Sequence, residues 1–304
     1  MLAWKVMSRP NLQTIIMPAA MLAGGLLHNR LGGTGFLMPW LLFAMLFIPF
    51  CGVRPADLRL GGLHAALLGF QAVVSVGVYA LVRMVDVEVA QGAMICVLAP
   101  TATGAVVIAS MLGARVETML SYSLLVNFAV ALGAPLFFAT IAPAEGVSFG
   151  ATFGVILGRV IPVIVLPFVV ALALRRLSPR AAGAMRRLRP LSFWLWLAAL
   201  TTTTAQVVNF VATQTQLTLA KGLSLAGAAL VLCLVQFFAG KWIGRRHGET
   251  MAGGQALGQK NTMLAIWLAQ SYLDPVSSIA PAAYVLWQTI FNSVQFGLVS
   301  RKRT

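Results

Sequence analysis

Two basic residues stand where a chain this apolar should hold no charge. Lys260 lies in Gly253-Gly254-Gln255-Ala256-Leu257-Gly258-Gln259-Lys260-Asn261-Thr262, and Arg159 lies in Gly158-Arg159-Val160-Ile161-Pro162. An ionised group at the centre of an apolar span costs about 2.5–3.5 kcal/mol on an insertion scale, so such residues are functional candidates by default. A lysine in this setting can titrate, since desolvation disfavours its charged form. It can also remain a built-in cation, grip the acid group of a ligand, or simply be held by helix-end carbonyls. Arginine cannot be neutralised, and Arg159 therefore suits attraction of an anion. The seven acids, Asp57, Asp86, Glu88, Glu117, Glu145, Glu249 and Asp274, all map to loops or helix ends. No buried carboxylate is expected as a partner for either base.

A second interrupted stretch, Ala99-Pro100-Thr101-Ala102-Thr103-Gly104, matches the one around Lys260. Proline and glycine loosen the helical hydrogen-bond ladder, and Thr, Gln and Asn can satisfy what is freed. Half-helix N-termini attract anions and exposed carbonyls attract cations. Thr101, Thr103, Asn261 and Thr262 are accordingly the expected substrate contacts with Arg159, and Lys260 the expected group for coupling or charge compensation.

The elements that must position these residues follow from composition. The 304-residue chain is 59% hydrophobic and 10% charged, with a mean hydropathy of +0.88. Soluble domains carry roughly 25% charge, and a span needs about 20 apolar residues. Hydropathy predicts ten helices, at about 11–28, 36–53, 60–83, 89–113, 117–142, 147–174, 189–212, 218–243, 251–273 and 276–299. The fold class is thus an all-α polytopic membrane protein, and little length remains for a soluble catalytic domain. With both termini cytoplasmic, the net charge of +15 concentrates on the inner side, and outer loops receive only Arg30 and Arg83. The arginine run 175–189 reads as a cytoplasmic loop facing anionic lipid, so no nucleic-acid partner is expected. The first apolar run could instead be a signal peptide, although Asn11, Gln13, Thr14 and Pro18 are unusual in a plain export core.

Ten helices divide into two halves of five, approximately residues 11–142 and 147–299, and an odd number per half inverts the second copy. Each interrupted stretch falls in the fourth helix of its half, as expected for secondary transporters built on discontinuous helices 4 and 9. The whole chain, 1–304, reads as one transporter domain. Gly150, Gly154 and Gly158 suggest close helix packing. Thr201 to Thr204, Gln206 and Asn209 line a cavity or bond between helices. Gln71, Asn127, Gln288, Asn292 and Gln295 are further interior polar candidates. Cys51, Cys96 and Cys233 form no disulfide framework. Gly146-Val147-Ser148-Phe149-Gly150 has nucleophile-elbow spacing but opens a membrane helix, not a strand–turn–helix. No enzyme activity and no cofactor is expected.

At the broken helices the chain resembles the bile acid:sodium symporter family, ten-helix carriers with an inverted five-helix repeat. Gly258 and Asn261 match that family's ninth-helix pattern, with Ala256 in place of its sodium-binding glutamate and Lys260 in place of its glutamine. Thr103 matches in the fourth helix, where this chain continues Gly104-Ala105-Val106 and relatives continue Ala-Ser-Asn, so Ala105 and Val106 stand in place of the family's Ser and Asn. The resemblance implies panel helices over 11–53 and 147–212 and core helices over 60–142 and 218–299. It also implies an inner-membrane carrier of a small or amphipathic organic anion, bile-acid-like, pantoate-like or a keto acid. With the sodium ligands replaced, the usual two-sodium mechanism is not expected. Proton linkage through Lys260, sodium-independent exchange and sodium symport through relocated ligands stay open, as does an efflux carrier of the auxin-carrier or arsenite-permease type. Expected partners are the organic anion, membrane lipid and protons.

Overall fold

The computed structural model describes residues 10–53, 58–102, 104–142, 148–213 and 217–301, and these form helices with no strand among them. In the first half, α1 (Pro10–Leu26), α2 (His28–Leu31) and a 3-10 turn (Gly32–Leu37) lead into α3 (Met38–Phe50). They are followed by α4 (Gly62–Val82), α5 (Val87–Leu98), α6 (Ala105–Met111) and α7 (Val116–Ile141). The second half holds α8 (Phe149–Ile164), α9 (Leu166–Leu177), α10 (Pro179–Arg187), α11 (Arg189–Thr213) and α12 (Leu219–Arg246). It ends with α13 (Thr250–Gly258), α14 (Thr262–Tyr272), a 3-10 turn (Pro275–Ser278) and α15 (Ile279–Arg301).

Among the described residues, four stretches are long and apolar enough to cross a membrane: His28–Phe50, Gly62–Val82, Val116–Ile141 and Leu219–Arg246. Helices α8 and α9, bent by 42° to one another, make a fifth if the two arms form one span. Pro162 and Pro167 flank that bend. Each lacks an N–H for the ladder and crowds the preceding turn. Large apolar side chains such as Trp40, Val73, Leu132, Phe238 and Ile290 point outward, an arrangement that hydrocarbon tolerates and water penalises.

Helix α5 packs against α4, α12 and α15, while α11 packs against α1 and α3. The closest backbone approach joins α12 to α13. A Cβ placed on Gly253 would sit 2.2 Å from the Gly240 carbonyl oxygen, and one on Gly240 would sit 2.2 Å from that of Gly253. Only glycine permits this contact. Gly248 reverses the chain between these two helices at φ 71°, a left-handed conformation that side chains resist. The glycines expected to mediate packing, Gly150, Gly154 and Gly158, instead border open space.

The arginine run is not a loop. Its central part is α10, because Ala182 and Met185, three residues apart, share one face. Ala182 is buried and Met185 packs on the cluster around Phe50 and Ala171, leaving Arg180 and Arg187 exposed. Arg175 on α9 donates to the Val53 carbonyl at 2.6 Å.

At the opposite end, Lys221 binds Asp86 and lies 2.8 Å from Glu88. The Asp86 carboxylate also caps α5, accepting from the Val89 N–H at 3.0 Å. Partial burial works to raise the Asp86 pKa, but the Lys221 hydrogen bond and the cap outweigh it and hold the carboxyl below its ordinary value. A group depressed in the fold contributes stability above its unfolded pKa, about 3.9, and that contribution is lost as pH falls through the folded value.

Two outcomes follow. Asp86→Asn keeps a capping side chain but loses the ion pair, and should cost about 0.2–1 kcal/mol at neutral pH. That difference should vanish below the carboxyl's titration, as read by thermal unfolding in detergent at a series of pH values. Gly253→Leu should abolish the monodisperse folded protein on size-exclusion chromatography, whereas Gly154→Leu should leave it intact.

Candidate functional site

The break after α5 begins with proline. Pro100 bars the helical conformation for the residue before it, and Ala99 is extended, with ψ 139°. The break after α13 lacks proline. There Gln259 is extended at φ −94°, ψ 91°, and the Asn261 side chain starts α14 by accepting from the Leu264 N–H at 3.2 Å. The two extended stretches run antiparallel and pair at Thr101 and Lys260. The Ala102 N–H donates to the Gln259 carbonyl at 2.9 Å, and the Asn261 N–H donates to the Pro100 carbonyl at 2.8 Å. Each break thereby satisfies part of the other's backbone.

The remaining carbonyls at the end of α5 are met by side chains. Lys260, 1% exposed, donates from Nζ to the carbonyls of Val97 at 2.8 Å and Ala99 at 3.0 Å. Gln71 on α4 donates to Leu98 at 2.9 Å and Ala99 at 3.2 Å, and its own oxygen accepts from the Tyr122 hydroxyl at 3.1 Å. Gln236 on α12 donates to the Cys96 carbonyl at 3.3 Å. The end of α13 is met in the same way: the Thr101 hydroxyl donates to Ala256 at 2.6 Å, and the Tyr284 hydroxyl donates to Gly258 at 3.0 Å. A helix C-terminus carries partial negative charge, so an ammonium on the α5 carbonyls is electrostatically matched without a carboxylate. Among the described residues no carboxylate acts on it; the Cys96 thiol does, and Cys233 and the Tyr284 phenol lie in turn beside Cys96.

Of the expected site residues, Thr101, Lys260, Asn261 and Thr262 are buried together at the crossing. The Thr101 hydroxyl and the Asn261 side-chain oxygen and backbone N–H are engaged in holding it. Thr103 lies outside the described residues. Arg159 is exposed on α8, within electrostatic reach of Tyr272 on α14, and is not part of the crossing. Glu249 is a buried carboxylate, although it partners neither Lys260 nor Arg159. It stands at a helix end yet is 6% exposed, because the glycine contact of α12 with α13 closes over it. It binds Arg115 and accepts from the Thr118 hydroxyl at 3.2 Å. Gln236 and Tyr284 were not singled out by sequence; Tyr284 stands four residues before Gln288 on the helix face that carries the interior amides.

Among the described residues no cluster of three His, Cys, Asp or Glu side chains is placed to hold a metal ion. No protein-family model and no curated protein matches the chain.

Lys260→Met tests how the ammonium is held. An uncompensated buried charge would be relieved by a Met of similar volume. Here the substitution takes the donor from the Val97 carbonyl, so it should destabilise by about 1–3 kcal/mol, measured as a lowered thermal midpoint in detergent.

Proposed function

We propose that the chain is a secondary carrier that moves a small or amphipathic organic anion across a membrane by alternating access. The observation that carries this reading is the antiparallel meeting of two interrupted helices around one buried ammonium. In transporters, binding sites form where discontinuous helices expose half-helix ends near the midplane. The order of elements supports the same reading. A long helix, a broken pair and a long helix occur as α4, α5–α6 and α7, and again as α12, α13–α14 and α15. This is the pattern expected of two inverted five-helix repeats and ten spans, with a core of 60–142 and 218–299. The remaining helices, within 11–53 and 147–212, form a panel that rocks against it. Contacts of α11 with α1 and α3, and of α9 with α3, fit such a panel.

On this reading the chain is a divergent relative of the bile acid:sodium symporters in a bacterial inner membrane, with both termini cytoplasmic. Lys260 takes the role that a bound cation plays in those carriers. A tethered ammonium cannot leave with the substrate; it can change charge only by losing a proton. Proton linkage is therefore favoured over sodium. Arg159, exposed beside Tyr272, attracts the anion before it reaches the crossing.

Purified protein in vesicles with separately imposed gradients tests this. A thermal-shift screen of bile acids, pantoate and keto acids supplies the substrate, since a ligand stabilises the state that it binds. Uptake should follow a pH gradient and ignore a sodium gradient, and Lys260→Ala should abolish the pH response. Uptake driven by sodium alone would overturn the proton assignment, and absence of any anion flux would overturn the carrier reading.

A further inference from the structure

Tyr284, Gln288, Asn292 and Gln295 recur at helical spacing along α15 and are all buried. They face Gln255 on α13 and Gln259 in the break that follows it. Gln288 Oε1 accepts from the Lys260 backbone N–H at 2.9 Å. Asn292 Nδ2 donates to Gln259 Oε1 at 2.5 Å, and Asn292 Oδ1 accepts from Gln255 Nε2 at 2.8 Å and Gln295 Nε2 at 3.3 Å. At 1.5 Å per residue, the stretch from Gln288 to Gln295 covers about 10 Å. One end touches the crossing. Beyond the other end, Leu298 on α15 is exposed, and along the same helix Lys241 of α12 lies 5.1 Å from the Phe291 ring centre.

Two oxygens in this seam, Gln255 Oε1 and Gln295 Oε1, are buried without a donor from the protein. A dry amide oxygen costs about 1–3 kcal/mol. Turning either amide over does not help, because it sets oxygen against Asn292 Oδ1 and strands a donor instead. Buried groups that the protein leaves unpartnered are characteristically met by ordered water.

We propose that this amide seam is hydrated and is the route by which a proton passes between the basic face of the bundle and Lys260. The route's role rests on the proton-linked reading above; the hydration does not. Amides both donate and accept, so waters held between them can pass a proton along hydrogen bonds. At the inner end the O–H bond of the last water breaks as an N–H bond forms on the neutral Lys260 amine, while that water takes a proton from the one behind it, so the net change is one proton taken up at the seam's outer end and no hydroxide is left in the seam. The seam holds no carboxylate to attract a metal cation. Among the described residues, Lys241 is a charged group beside Phe291 on α15, the Cys96 thiol acts on the amine, and Cys233 and Tyr284 lie in turn beside Cys96.

Solid-state NMR in lipid bilayers, on protein labelled with nitrogen-15 in Asn and Gln side chains, tests the hydration without any transport. Signals are assigned by their loss in Gln255→Leu, Asn292→Leu and Gln295→Leu. Gln71, whose oxygen and nitrogen are both bonded within the protein, is the dry reference. The side-chain amides of Gln255, Asn292 and Gln295 should exchange with D2O at least about tenfold faster than that of Gln71. Equal protection would overturn the proposal. In vesicles, Gln295→Leu should slow uptake driven by a pH gradient roughly tenfold and leave anion exchange at equal pH unchanged. An unslowed gradient-driven rate with wet amides would remove the route while leaving the carrier reading intact. If wild-type vesicles show no pH-driven flux, it is the coupling that falls, and the NMR result still decides the seam.

Discussion

A helix that stops inside a packed interior leaves carbonyls without helical partners, and each must find another donor. That requirement organises the centre of this molecule. The end of α5 presents four such oxygens, on Cys96, Val97, Leu98 and Ala99, and they are met by Gln236, Lys260 and Gln71, three side chains drawn from three other elements. The end of α13 draws on Thr101 and Tyr284. The breaks are stable only because each contributes to the other: Lys260 leaves the second break to serve the first, and Thr101 does the reverse. Neither interruption would be tolerable alone.

The same constraint explains the packing around the crossing. To place Lys260 beside α5, helix α13 must return from α12 with almost no space between backbones. That is why Gly240 and Gly253 face one another and why Gly258 lies against the Phe237 ring. The cost appears at the N-terminus of α13, where Glu249 is carried into the interior. Arg115 and Thr118 offset it, joining the start of α7 to the start of α13. A buried carboxylate paired with a largely exposed arginine is thus a by-product of the close approach.

Much of this was legible in the sequence. Pro100 and the cluster of glycines before Lys260 mark the two interruptions, and an ammonium amid apolar residues marks their meeting point, since single residues there are expensive enough to be informative. Long-range pairing was not legible. Nothing in local spacing says that Gln236 and Gln71 converge on one helix end, because that depends on how α4 and α12 rotate about their axes. Arg159 shows the same limit: its type is visible, its exposure on α8 is not. The arginine run misled for a different reason. Charge density obscured the short apolar face of Ala182 and Met185, which is enough to fold α10 against the bundle. Gly150, Gly154 and Gly158 misled because regular spacing licenses close packing without requiring a partner.

An ammonium tethered in place changes what motion the crossing can support. A bound metal ion contributes charge that arrives and departs with each cycle, so its concentration gradient can do work on the conformation. A lysine contributes charge that stays, and its interaction with the Val97 and Ala99 carbonyls is switched only by moving a proton or by pulling the two breaks apart. Without proton exchange the crossing would be a permanent clasp, with a difference in free energy between conformations set by packing alone. With proton exchange, the clasp weakens whenever the amine is neutral, because a neutral amine offers carbonyls much weaker hydrogen bonds than an ammonium does. On the proposed carrier reading, coupling to a pH gradient therefore requires that a proton reach the Lys260 amine.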